Sequence, residues 1–496
     1  MNFFSEMEKK QISTTENGAK GFKTTGSKLV DLNFRIPSFR RYGNIPFDLF
    51  QLSYEQEANL TLRWLLYLRD IKQGCGERDS FRKFLTYLCD HNPVIGSKFL
   101  KEFVKGDYGR WDDVIEIYFS TKSKEIKHDI KNILSEQLFR DMDALHPSLL
   151  AKWLPSESSK NLVTRQRARK LATEVFGCSS RVYRKTLSSL RKYVAPTEVF
   201  TSAGKWEEVL YQDVPSKANL KYKSAFLKHD YDRRMSYLDD VASNKVKINA
   251  NSMFLHDIVL AYSNSYEPNI TLEALWKNQE KPINFADTLV VHDSSGSMAQ
   301  YVSESSNLTA SIIASALTIY CAENNTGIYH NKFLTFSSKP RCVSFPEQSN
   351  LFEKLSQLRS MHENFFSTNI EAVFDLILST AVKNKAKTDE IPTNILIISD
   401  MEFDEAVQNS ESTLFEHISK KFKEAGYKLP KLIFWNVCSR TNTIPMVANE
   451  EGVILLSGFS KNLLTMVMSS ELDPYKALVK MLNSKRYSCI DKVYPL

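Results

Sequence analysis

Asp287-Thr288-Leu289-Val290-Val291-His292-Asp293-Ser294-Ser295-Gly296-Ser297-Met298 is the stretch on which the reading of this chain turns. Leu289-Val290-Val291 is too short and too β-branched for a helix, and suits a strand buried on both faces. The run stops at Asp293, a small-residue loop follows, and an apolar helical pattern begins near Ser303. A buried strand that delivers a carboxylate and hydroxyls into a tight loop just before a helix describes a ligand site at the carboxyl edge of a parallel α/β sheet.

The spacing Asp293-x-Ser295-x-Ser297 suits a small hard cation. Mg²⁺ takes oxygen ligands at about 2.0–2.1 Å in near-octahedral array, and alternate residues of a tight loop can aim several short oxygen side chains at one point. Hydroxyl ligands add no charge, so the ion keeps its appetite for a carboxylate. The stretch resembles the first strand and metal-ion-dependent adhesion site of a von Willebrand factor A domain. That resemblance implies Mg²⁺ or Mn²⁺ held by Asp293, Ser295 and Ser297, together with Asp400, which ends a second buried run, Asn394-Ile395-Leu396-Ile397-Ile398-Ser399. It also implies Thr368 as a ligand, from the loop that opens a helix with apolar positions Ile370, Phe374, Ile377 and Ala381. Thr368-x-x-Glu371 has a second reading, a capping box that serves helix initiation alone. Asp293→Ala is expected to remove the ion and spare the fold, because the carboxylate lies on a loop.

From Asn284 onward, short apolar runs alternate with helical patterns. Strands are expected near 287–292, 332–337, 341–345, 394–400, 431–437 and 452–457, and helices near 303–323, 368–384, 412–425 and 459–469. Such alternation predicts a Rossmann-like, mostly parallel sheet with helices on both faces. Residues 45–285 read differently, as helices with few strand signals. Leu60, Leu62, Trp64, Leu65 and Leu68 define one, Phe81, Phe84, Leu85 and Leu88 the next, and others fit 126–141, 160–176, 180–193 and 217–241. Residues 1–44 are rich in Ser, Thr and Lys and read as a loosely ordered lead-in. The expected organisation is thus lead-in 1–44, helical domain 45–285 and α/β domain 286–496.

Three local sequences in the helical part are too particular for generic helices: Leu68-Arg69-Asp70-Ile71-Lys72-Gln73-Gly74-Cys75-Gly76-Glu77-Arg78, Asp107-Tyr108-Gly109-Arg110-Trp111-Asp112-Asp113, and Leu150-Ala151-Lys152-Trp153-Leu154-Pro155-Ser156. They resemble the TROVE module of the Ro ribonucleoproteins, a helical repeat that binds RNA and precedes a von Willebrand A domain. Lys205-Trp206, Phe226-Leu227-Lys228-His229-Asp230, Ser399-Asp400-Met401-Glu402-Phe403-Asp404, Phe434-Trp435-Asn436 and Ser457-Gly458-Phe459-Ser460-Lys461-Asn462-Leu463-Leu464 resemble the domain of unknown function 2828 family. That family pairs a TROVE-like part with a von Willebrand A domain. The resemblance implies a non-enzymatic RNA-binding protein whose metal site docks an acidic side chain of a protein partner. A scaffold that binds only protein is the alternative, with a metal-dependent nuclease behind it.

Charge is consistent with an RNA partner. Residues 1–285 hold 45 Lys and Arg against 35 Asp and Glu, whereas the remainder holds 20 against 23. Residues 151–200 alone carry 11 basic and 3 acidic side chains. Arg165, Arg169 and Lys170 share one expected helix face, and Arg181, Arg184 and Lys185 repeat the grouping on the next. Together they form the candidate RNA surface. The same cations also read as solvated helix faces.

Other classes find little support. The seven cysteines form no C-x-x-C pair, which speaks against a zinc site and for a reducing, cytoplasmic location. No apolar stretch approaches the roughly 18 residues of a membrane span. Neither G-x-x-x-x-G-K-[ST] nor G-x-G-x-x-G occurs. His292 is expected in the core, and Glu402 and Asp404 on a loop surface or capping a helix, although both could add carboxylates near the metal.

Overall fold

The computed structural model describes residues 12–43, 45–194, 196–263, 265–282, 285–303, 306–336, 339–361, 369–387, 390–404, 414–445, 452–467 and 473–495. The chain forms two compact units, residues 1–64 with 253–484 and residues 65–252 with 485–496. This division departs from the boundaries expected at 44/45 and 285/286, for a physical reason. Helices Leu255–Ala261 and Ile270–Lys277 bury Leu255, Ile258, Val259, Leu272, Leu275 and Trp276. The first packs on Ala310–Asn324, the helix that covers the sheet.

In the first unit, strands β3 (Thr288–His292), β4 (Lys332–Thr335), β5 (Cys342–Ser344), β6 (Asn394–Ser399), β7 (Lys431–Asn436) and β8 (Val453–Ser457) lie in the order β5-β4-β3-β6-β7-β8. All neighbours are parallel except β4 and β5. β3 is buried at every position, as a central parallel strand with both faces covered should be, and the edge strand β8 is buried at every position as well. Helix Ala310–Asn324 starts later than the expected residue 303, because Thr309 caps it by accepting the Ile312 N–H at 3.3 Å.

Residues 12–43, expected as a loose lead-in, are structured against this sheet. Two strands, β1 (Ile12–Thr14) and β2 (Lys20–Phe22), pair antiparallel, and Phe22 exchanges backbone hydrogen bonds of 2.8 and 2.9 Å with Ile444. Helix Lys28–Phe34 buries Leu29, Val30, Leu32 and Phe34. Its last carbonyl, on Phe34, accepts the Asn436 side-chain amide at 2.9 Å and the Ser457 hydroxyl at 2.8 Å, tying it to the ends of β7 and β8.

The second unit is helical: Asp79–His91, Pro93–Lys105, Trp111–Ser120, Lys124–Asp143, Leu162–Lys170, Ser180–Val194, Ser216–His229 and Tyr231–Ala242 are its longer helices. The expected single helix over 217–241 is two, because Asp230 leaves the helical region at φ −149° and ψ 54°. The three particular sequences meet in this unit. Arg69 and Arg82 donate to the two oxygens of buried Asp113 at 2.8 and 2.7 Å, and the Arg110 guanidinium lies 4.1 Å over the Trp153 ring. None of the seven cysteines forms a disulfide. Among the described residues no helix is long and apolar enough to cross a membrane.

Candidate functional site

β3 and β6 run side by side in register, His292 opposite Ile398, and the Asp293 N–H still bonds to the Ile398 carbonyl at 3.2 Å. Both strands therefore release their chains at one level of the carboxyl edge, and two carboxylates arrive together. Asp293 Oδ1 accepts the Ser295 N–H at 2.9 Å, while Oδ2 accepts the Ser399 hydroxyl at 2.5 Å. The hydroxyls of Ser295 and Ser297 share a hydrogen bond of 2.9 Å, and Ser297 lies close enough to the Asp400 carboxylate to favour its charged form. Four of the five expected metal residues thus form one oxygen cluster. The fifth, Thr368, lies outside the described residues.

Among the described residues the cluster is buried on one side and open on the other. Asp293 and Asp400 are 0 and 1 % exposed, whereas Gly296 is exposed and a Cβ there would meet none of the described residues within 4 Å. Burial raises the pKa of Asp293, against the pull of the Ser399 and Ser295 hydrogen bonds. Asp400 is pushed up to about 7, by burial first and by the Asp293 charge second, with Arg440 and Ser297 opposing. Two adjacent carboxylates out of water need a proton or a cation between them. The donors are hard oxygens, and the Ser294 hydroxyl beside them is buried without a hydrogen-bond partner among the described residues. Chemistry of this kind fits a small hard cation held by Asp293, Ser295, Ser297 and Asp400.

Neighbouring polar residues have other work. Glu402 is fully buried, and its carboxylate collects the N–H groups of Arg440 at 2.8 Å, Thr441 at 2.9 Å and Glu16 at 2.9 Å. Asp404 forms a backbone bridge with Gly18, and its charge adds to what raises the pKa of Asp293. His292 shares a hydrogen bond of 2.9 Å with Thr318 on the covering helix and meets Phe333 edge to face. Helix Ile370–Asn384 is capped by Asn369, which accepts the Ala372 N–H at 2.9 Å. Glu371 accepts from Lys421 at 2.6 Å, while Thr368, the other half of the expected capping box, lies outside the described residues.

Sequence reasoning missed Ser399 and Arg440. Ser399 was within reach, since its place before Asp400 on a strand beside β3 sets it next to Asp293. Arg440 carried no local signal: it follows β7, and only the strand order brings it to Asp400.

The six basic candidates in the helical unit are not alike. Arg165 donates to the Ser159 and Lys160 carbonyls at 2.9 and 3.1 Å, closing the turn before its helix. Lys170 lies 3.9 Å from Glu174, and Arg184 4.0 Å from Glu157. Arg169, Arg181 and Lys185 are exposed, with no carboxylate within 4.0 Å among the described residues.

Residues 15–140 and 137–288 match the family described as Domain of unknown function (DUF2828). Residues 287–487 match Domain of unknown function (DUF7788), so the two matches meet at the start of β3. The chain is similar to Uncharacterized protein L728 of Acanthamoeba polyphaga mimivirus, 31% identical over 512 residues that cover 95% of this chain and 87% of that one. With the DUF2828 match running over more than half its length, the chain belongs to the DUF2828 family.

Proposed function

We propose that this protein is a divalent-cation-dependent binding protein of the von Willebrand A type, with a TROVE-like helical part that holds RNA. The observation that carries this reading is the meeting of Asp293, Ser295, Ser297 and Asp400 at the carboxyl edge of β3 and β6. A bound Mg²⁺ or Mn²⁺ supplies an electrophilic position for an acidic side chain of a partner. The chain's own part is to fix four oxygens on two adjacent strands and to leave the Gly296 side open. RNA binding is supported by the basic balance of residues 151–200 and by exposed Arg169, Arg181 and Lys185. The seven free cysteines support a reducing, cytoplasmic setting.

Calorimetric titration of the full chain with Mn²⁺ and Mg²⁺, beside Asp293→Asn, tests the metal half. Saturable binding lost in the variant is expected, and equal binding by both sinks the site. Crosslinking to RNA in cells, with sequencing of what is recovered, tests the other half. Recovery of no RNA leaves a protein-binding scaffold, and Mg²⁺-dependent cleavage of added RNA makes the protein a nuclease.

A further inference from the structure

We propose that Arg440 is a built-in cation of the oxygen cluster, held in place by Glu16, and that a divalent ion must compete with it for Asp400. The inference rests on the metal reading above and concerns what sets the affinity of that site.

Arg440 is fixed from three directions. Its backbone N–H is bound by buried Glu402 at 2.8 Å, and its Nη2 lies 2.8 Å from Glu16 Oε2 and 3.5 Å from Asp400 Oδ2. The arginine side chain is 5 % exposed and that of Asp400 2 %, so water screens this pair poorly. Glu16, at 48 %, reaches in from the surface. The turn that carries Glu16 is strapped onto the loop after β6: Thr15 Oγ1 donates to the Phe403 carbonyl at 2.6 Å and Asn17 Nδ2 to that of Glu402 at 2.7 Å. The strap and Arg440 thus meet on the loop that begins with Asp400.

The charges explain the arrangement. Without a divalent ion, Asp293 and Asp400 repel each other in a buried site, and a guanidinium beside Asp400 offsets part of that. The same guanidinium repels an incoming divalent cation. Glu16 takes up part of its charge, and so lowers this barrier. Arg440 and Glu16 should therefore move metal affinity in opposite directions, although they are direct partners. A purely structural strap would move both the same way.

The test uses the full chain, Mn²⁺ calorimetry, and thermal denaturation with and without saturating Mg²⁺. Arg440→Gln is expected to bind Mn²⁺ about tenfold more tightly. It should also melt lower than wild type without metal, and gain more from Mg²⁺. Glu16→Gln should bind about threefold more weakly. Unchanged or weaker binding by Arg440→Gln, with wild type binding normally, overturns the inference and leaves the site standing. Weakening in both variants does the same, by assigning the contact to the strap. Absence of binding in wild type overturns the metal reading and this inference with it. Should Arg440→Gln fail to fold, Arg440→Met takes its place in the comparison, and tighter or equal binding by Glu16→Gln contradicts the proposal on its own.

Discussion

Arg486 closes on Asp70 from the other end of the chain: its Nη2 donates to Asp70 Oδ1 at 2.7 Å and its Nε to Oδ2. Asp70 is fully buried and also accepts the Tyr487 hydroxyl at 3.0 Å, while Arg486 extends to Asp107 at 2.9 Å and stacks over Tyr108. The carboxy-terminal segment is therefore part of the helical unit. Arg486→Ala leaves a buried carboxylate without its cation and should cost about 3–5 kcal/mol. Lys72→Ala removes an exposed partner of Asp107 and should cost about 0–1 kcal/mol. Thermal or urea unfolding compares them, and similar small losses would mean that the segment does not hold the unit together.

Asp293→Ala was expected to spare the fold because the carboxylate lies on a loop, but that loop residue is 0 % exposed. The carboxylate is the acceptor for both the Ser399 hydroxyl and the Ser295 N–H inside the protein. Alanine strands both donors and should destabilise by about 1–3 kcal/mol. Asparagine keeps one acceptor and drops a charge that burial disfavours, since the pKa of Asp293 is raised. Both variants should lose divalent binding, with only Asp293→Ala unfolding at markedly lower urea. A normal urea midpoint for Asp293→Ala would show that the two hydrogen bonds contribute little.

How much of this was legible follows from distance along the chain. Strands β3, β6, β7 and β8 were readable because a strand buried on both faces is an unbroken apolar run, as in Val290-Val291 or Ile395-Leu396-Ile397-Ile398. Asp293, Ser295 and Ser297 were readable because their chemistry lies in one loop. Hairpin β1–β2 was not: its strands are three residues long, and they are stabilised by Ile444 and Phe403, far away in sequence. The break at Asp230 was hidden because Lys228-His229-Asp230-Tyr231 contains neither Gly nor Pro. Arg165 looked free because the carbonyls it binds leave no trace in sequence.

Lys461 gives a pH dependence. Burial pushes its pKa down to about 8, and its ammonium donates to Gln279 at 3.0 Å. A depressed folded pKa means that the unfolded chain holds the proton more tightly between about pH 8 and the usual lysine value near 10.4. Stability from this group therefore rises with pH across that window and is lost as pH falls through 8. Lys461→Met should stabilise the protein at pH 7 by on the order of 1–2 kcal/mol, discounted for partial exposure, and flatten the rise. Urea unfolding at pH 7 and 9.5 checks it. A variant less stable than wild type at pH 7 would show that the bond to Gln279 outweighs desolvation.

The RNA surface narrows to the cations that the fold leaves exposed. Arg169→Gln with Lys170→Gln, and Arg181→Gln with Lys185→Gln, should each weaken binding of a generic RNA about tenfold at moderate salt. Each should lower the slope of log affinity against log salt by about one unit per lost phosphate contact. Folding should barely change, because exposed charges contribute about 0–1 kcal/mol each. Arg165→Gln is the contrasting variant: its guanidinium holds two backbone carbonyls, so it should lower the melting temperature and leave the salt slope alone. Filter binding across a salt series, paired with thermal melts, separates these outcomes. Unchanged affinity and slope in both double variants would move the RNA to another face of the helical unit. A slope lowered by Arg165→Gln alone would show that this turn opens to meet RNA.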